Sequence, residues 1–124
     1  MNFVLNKREP QIQNLDILPR MDRSLVDYKK YHKYVGQSGI RYEMTMQATR
    51  GCPFRCFYCD VQHLTPFHRR RSVDSIFDEV KYLHDIGIRR SEFIDDAFNV
   101  SIRDFKAFFR KVIESKLDMS FYFQ

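Results

Sequence analysis

From Arg41 to Thr49 the chain alternates strictly. Tyr42, Met44, Met46 and Ala48 are apolar or aromatic, and Glu43, Thr45, Gln47 and Thr49 between them are polar. A period of two predicts a strand with one buried face and one polar face, ending at Gly51. Ser72, with Asp74 in the first turn, predicts the start of a helix. Its apolar stripe is Ile76, Phe77, Val80 and Leu83, and Gly87 closes it. Phe93 and Ile94 open a second short strand that runs into Asp95 and Asp96. Ser101 and Asp104 form a capping pair of the S-x-x-D kind. The helix behind that pair places Phe105, Phe108, Phe109, Val112 and Ile113 on its buried face, and residues 119–123 read as a third strand.

The order is strand, long loop, helix, strand, helix, strand. The last two strands start at the pitch of a βαβ unit with a short helix, which implies a parallel sheet. The phenylalanines crowded between Phe77 and Phe123 suggest a sheet covered on both faces. Three strands are few for such a fold. The expectation is therefore an α/β chain holding the first three β/α units of a barrel or half-barrel, its third strand presenting an unpaired edge prone to association. Residues 1–40 read as a lead-in or linker and residues 41–124 as the start of the core domain. Within the lead-in, residues 16–20 (DILPR) are extended and punctuated by proline. Leu25, Tyr28, Tyr31 or His32, and Val35 then recur at helical spacing until Gly36 and Gly39. A short helix packing its tyrosines on a neighbouring body accounts for that spacing.

Composition narrows the class. The 124 residues are 44% hydrophobic and 30% charged, a globular balance that excludes wholesale disorder. No apolar run approaches the ~18 residues of a membrane span. The first residues turn polar too soon for a secretory leader, so a cytoplasmic protein is expected. The net charge is +5, and the basic residues are scattered, with Lys29–Lys30 and the triplet Arg69–Arg71 standing out. Scattered basicity without a recognition motif argues against a nucleic-acid partner and reads as solubility or tolerance of an anionic cofactor. The Arg69–Arg71 run reads as a solvated surface feature; screening an anionic substrate is its alternative.

All three cysteines lie within eight residues, Cys52-Pro53-Phe54-Arg55-Cys56-Phe57-Tyr58-Cys59. An odd, clustered set without a leader argues for metal or redox chemistry over a disulfide framework. Soft thiolates select iron–sulfur clusters, zinc or copper(I). Three cysteines at C-x3-C-x2-C spacing suit three corners of an iron–sulfur cube and leave one iron open to another ligand. The alternative is a small zinc-stabilised Cys3His binding module, with His63 or His68 as the fourth ligand and nucleic acid or protein as its partner.

The stretch Thr49-Arg50-Gly51-Cys52 through Cys59 resembles the signature of the radical S-adenosylmethionine (SAM) enzymes, C-x3-C-x-Φ-C with an aromatic before the last cysteine. Residues 68–80 and Phe93-Ile94-Asp95-Asp96-Ala97-Phe98-Asn99 are similar to the branch whose members often carry a cobalamin domain ahead of the radical domain. Residues 18–25 are weakly similar to the linker between those domains. The resemblance implies a partial (β/α)6 barrel with the cluster loop after the first strand. It implies Cys52, Cys56 and Cys59 as ligands of a [4Fe–4S] cluster whose fourth iron takes the amino and carboxylate groups of SAM. It implies cleavage of SAM to a 5′-deoxyadenosyl radical, a small-molecule substrate, and an electron donor such as flavodoxin or ferredoxin. Tyr58 takes the family's aromatic position near adenine. Asp95 and Asp96 stand where the family contacts the methionine amino group, though often through a G-G-E motif that is Asp-Asp-Ala here. Glu43, Thr45, Gln47 and Thr49 would line the barrel lumen. Cobalamin, and methyl transfer through it, are expected only of a longer protein, because a cobalamin domain needs on the order of 100 residues. This chain alone is expected to be incomplete as a catalyst. His63, His68 and His84 receive only ordinary surface roles.

Overall fold

The computed structural model describes residues 4, 7, 9–31, 43–65 and 67–123. Three parallel strands form the main sheet: β1 (Glu43–Met46), β4 (Arg90–Phe93) and β5 (Ser120–Phe123), in the order β1-β4-β5. Two further strands, β2 (Thr49–Arg50) and β3 (Arg69–Arg70), pair antiparallel as a separate ribbon. The helices are α1 (Val61–Leu64), α2 (Val73–Asp85) and α3 (Ile102–Ser115). In the main sheet Met46 stands opposite Phe93, and Phe93 opposite Phe123. Both crossovers are helical, which is what adjacent parallel strands require.

The two long helices form where capping and periodicity agree. The Ser72 side chain accepts from Ser75 N, and Ser101 accepts from Asp104 N. Gly87, at φ +93°, turns the chain out of α2 in a conformation that suits glycine. Ile76, Val80 and Leu83 of α2 and Phe108 and Val112 of α3 are buried with Met44, Met46, Ala48 and Phe93 in one core. The phenylalanines do not cover two faces, as their number suggested. Phe93, Phe98, Phe105, Phe108, Phe109, Phe121 and Phe123 gather into one contiguous cluster on the helix-covered side, with Phe93 and Phe123 stacked 5.0 Å apart. Ile113, expected on the buried face of α3, is 73% exposed, while Tyr122 on β5 points away from the cluster and is half exposed.

Three further expectations are corrected. The first strand ends at Met46, because the chain bends at residues 47–48 to build the ribbon. The second strand begins at Arg90 and ends at Phe93, so the Asp95–Asp96 pair follows it as a loop. The lead-in forms short 3-10 turns at Leu15–Ile17, Arg23–Leu25 and Tyr28–Tyr31 in place of an amphipathic helix, and Leu25 is exposed. Tyr28 does reach the body, donating to the Ile86 carbonyl at 3.3 Å. His32, Val35, Gly36, Gly39, Arg41 and Tyr42 lie outside the described residues.

The lead-in is tied to the sheet by charge. Leu15 is buried, and Asp16 accepts from Ser72 N at 2.9 Å, adding a second cap to α2. On the outer side of β1, the Arg23 guanidinium donates to the Thr45 carbonyl at 2.7 Å and Arg71 donates to the Gln47 carbonyl at 3.2 Å. Both arginines pair with the buried Glu79 carboxylate, at 3.5 Å and 2.5 Å. Backbone acceptors on an edge strand are therefore satisfied by side chains. Replacing Glu79 with Ala leaves two largely buried guanidinium groups without their counter-charge. A loss of about 3 kcal/mol in unfolding free energy is expected from urea denaturation; a loss below ~1 kcal/mol would show that the pair does not organise this edge.

Candidate functional site

Parallel strands send their loops out at one edge, and the carboxyl ends of such strands are where α/β folds place their chemistry. Here that edge carries the residues leaving β1 and those leaving β4. The first segment passes through β2 into residues 51–68, which hold all three cysteines, and returns through β3. The pairs Thr49 with Arg70 and Arg50 with Arg69 close the base of this excursion. Arg71 N, donating to the Ala48 carbonyl at 2.9 Å, continues the ladder.

Asp95 fixes the start of the loop. Its side chain is 3% exposed, yet it accepts from Ala48 N at 2.9 Å, from Thr49 N, and from Thr49 Oγ1 at 2.9 Å. Two consecutive backbone N–H groups at the bend after β1 are thus paired with one carboxylate from the end of β4. Burial pushes the Asp95 carboxyl above its ordinary value, and the hydrogen bonds from Thr49 and Ala48 and the Arg70 charge pull against it. Thr49, expected to line a lumen, is fully buried in this contact. Thr45 and Gln47 do remain exposed on the polar side of β1.

The Arg69–Arg71 run is not solvated. Arg69 is buried and donates to the Ile12 carbonyl at 2.9 Å. Arg70 donates to the Phe98 carbonyl at 2.7 Å, and its guanidinium lies 5.0 Å from the centre of the Phe98 ring. Burial lowers the Arg70 pKa while Asp104 and Asp95 oppose the shift; an arginine so placed keeps its charge. Arg71 bonds Ser75 and Glu79 of α2. Each arginine ties the ribbon to a different element: the lead-in, the turn before α3, and α2.

Gly51 makes the loop's first turn at φ +79°. A Cβ there would meet the Phe67 carbonyl oxygen at 2.6 Å and that of Thr65 at 2.7 Å, so the returning strand of the loop passes directly over it. Beyond Gly51 the loop is open to solvent. Cys52 and Cys59 are half-buried, Cys56 is exposed, and all three are free thiols. Cys59 N donates to the Cys56 carbonyl at 3.0 Å, closing a tight turn. Phe57 is 98% exposed and Tyr58 79%, the two rings meeting edge to face.

Among the described residues no three His, Cys, Asp or Glu side chains are gathered at metal-binding distance. By chemistry the donors suit an iron–sulfur cluster: three free, soft thiols share one loop, and no disulfide consumes them. His63 pairs with Asp60 at 2.7 Å, and His68 is half-buried with Nε2 3.3 Å from the Ala97 carbonyl. His84 lies beside Asp85. The two aspartates expected to act together are separated by the fold. Asp95 is spent on the backbone of β1, whereas Asp96 is exposed at the same edge with no partner among the described residues.

A βαβ sheet with a cysteine loop at its carboxyl edge is the opening of a partial barrel, and comparison with known proteins identifies its kind. The model of the radical SAM superfamily matches residues 46–121. The chain belongs to that superfamily of enzymes. It is 33% identical over 94 residues to an uncharacterized methyltransferase of Pyrococcus horikoshii, covering 74% of this chain and 19% of the relative. It is 36% identical over 75 residues to the anaerobic magnesium-protoporphyrin IX monomethyl ester cyclase of Synechocystis sp., covering 60% and 14%. The chain thus spans a fifth or less of these relatives. Among solved structures it is similar to the Kitasatospora setae radical SAM methyltransferase TsrM with cobalamin and a [4Fe–4S] cluster bound, at 26% identity and a TM-score of 0.53 over 58% of this chain and 13% of that one. The same enzyme with tryptophan and a SAM analogue gives 25% and 0.54, over 60% and 14%. Family membership supports a radical SAM function.

Sequence reasoning missed Glu79, which sits one position from the stripe of α2 and looks like an ordinary surface acid, and the anchoring of the arginine run. Replacing Asp95 with Ala removes the acceptor of two buried N–H groups, and a loss of about 3 kcal/mol is expected in urea unfolding. Asn keeps one acceptor oxygen and should lose less. Because the folded state raises the Asp95 pKa, it holds the proton more tightly than the unfolded chain. Wild type should therefore gain stability relative to Asp95→Asn as pH falls through the raised value toward 3.8, opposite to the lowered Asp16 and Asp104. No change in that difference across the carboxylate range would contradict the burial of the charge.

Proposed function

We propose that this chain carries the cluster loop of a radical SAM enzyme, with Cys52, Cys56 and Cys59 holding a [4Fe–4S] cluster. The observation that supports this reading most is the confinement of three free thiols to one loop, rooted at the carboxyl edge of a sheet inside the family match. Such a cluster, when bound with SAM and reduced by an external one-electron donor of the flavodoxin or ferredoxin kind, supplies reductive cleavage of the sulfonium to a 5′-deoxyadenosyl radical.

The chain's own residues have distinct parts in this reading. The three thiolates would hold three irons and leave the fourth for SAM, since the loop offers three cysteines. Asp96, exposed in the loop after β4 and without a partner among the described residues, would accept from the methionine amino group. Asp95 keeps the loop in register, buried and held by Ala48 and Thr49 away from the exposed edge. Tyr58 and Phe57, exposed beside Cys59, supply flat apolar surface for adenine and shield the cluster from water. The methyltransferase and cyclase names of the relatives, and the cobalamin bound in the structural neighbour, support methyl transfer to a small molecule through cobalamin as the reaction of the whole protein.

Anaerobic reconstitution tests the assignment. The chain with iron and sulfide should turn brown and hold about four irons and four sulfides. Cys52→Ala, Cys56→Ala and Cys59→Ala should each lose the four-iron signal while remaining folded by circular dichroism, because the thiols lie outside the core. A colourless protein with one zinc, or a variant that retains the full cluster, would contradict it. Asp96→Asn should leave iron content unchanged and weaken SAM binding by about tenfold, the worth of one charge-assisted hydrogen bond.

A further inference from the structure

A cavity of about 190 Å³ lies between the lead-in and the outer side of β1, apart from the cysteine loop but opening beside its base at Arg50. Its charge is one-sided. Arg20, Arg23, Arg50 and Arg71 line it, and Glu79 is the single carboxylate among its walls. Glu79 is shared by Arg23 and Arg71 and so neutralises one of four positive charges. Of the nearby acids, Asp16 bonds Ser72 and also faces the Arg71 charge, Asp22 bonds Ser24 and faces the Arg20 charge, Asp74 pairs with Lys111, and Asp78 is exposed on α2; none of them lines the cavity.

Several guanidinium donors remain unused. Arg20 is held by its flat face, 3.7 Å above the Tyr82 ring, which fixes the group and leaves its N–H edges without a hydrogen-bond acceptor among the described residues. Arg50 uses only Nε, on Gln47 Oε1 at 3.2 Å. Arg23 is 10% exposed in its side chain, and its Nε is buried without an acceptor. A buried donor on a charged group normally has a partner, and Arg23 lines a cavity that can hold one. We propose that this cavity binds a tetrahedral oxyanion, a phosphate or a phosphoryl group on a larger molecule. Donors from three separate arginines exceed what one planar carboxylate takes in a bidentate pair, and suit the terminal oxygens of a phosphoryl group. The volume accommodates such a group, a water occupying about 30 Å³ in the liquid.

The test uses the metal-free chain and is independent of the cluster assignment. Inorganic phosphate and glycerol 3-phosphate are titrated at constant ionic strength, with the arginine Nε–H resonances as the readout. Saturable shifts of Arg23 and Arg50 are expected. Tighter binding of the ester identifies a phosphoryl group on a larger ligand, and tighter binding of the inorganic ion identifies free phosphate. Arg20→Gln and Arg50→Gln should each weaken binding about tenfold, while Arg110→Gln on α3 should not. Arg50→Lys, which keeps the charge but not the fork, should fall between. Linear, non-saturating shifts would overturn the proposal, as would acetate binding equal to phosphate or an Arg110 variant as weak as the other two.

Discussion

One carboxylate organises the working edge of this protein. Asp95, at the end of β4, accepts from the backbone of Ala48 and Thr49, where the chain turns out of β1. Strand pairing ends there, since Ile94 N donating to the Met46 carbonyl is the last rung between the two strands. Without the carboxylate the bend would hold two buried N–H groups with no acceptor. With it, the position of the cysteine loop becomes a consequence of sheet register. The charge is costly to bury, and four hydrogen bonds together with the nearby Arg70 offset that cost.

The arginine-bearing strand extends the same logic. A two-residue ribbon has little stability of its own. It persists because Arg69, Arg70 and Arg71 each reach a different neighbour, and because Gly51 lets the outgoing and returning backbones pass within van der Waals contact. A rigid base therefore carries an open tip. That division suits a metal loop, in which the ligands must move to meet the metal while their anchor stays fixed.

The main elements were legible because they rest on periodicity and capping. The alternation from Glu43 to Met46, the stripe Ile76–Val80–Leu83 and the serine caps all act locally, and the structure follows them. What escaped depends on contacts between distant residues. Nothing near Asp95 in sequence reveals that its partners lie 46 and 47 residues earlier. Arg69–Arg71 looks like a solvated run because composition cannot show that five backbone carbonyls and a buried glutamate await it. Ile113 fits the helical stripe, yet the fold leaves it exposed. For the site itself, the C-x3-C-x2-C spacing pointed to the family that the comparison identifies, whereas the unlike surroundings of Asp95 and Asp96 became apparent only in the fold.

The central claim is that three thiolates of this loop hold a cluster with one iron open to SAM. Mössbauer spectroscopy of the reconstituted, iron-57-labelled chain tests it most directly. The account predicts that adding SAM changes the signal of one iron in four and leaves the other three unaltered. A spectrum in which all irons are indifferent to SAM, or in which no four-iron cluster forms, would contradict it.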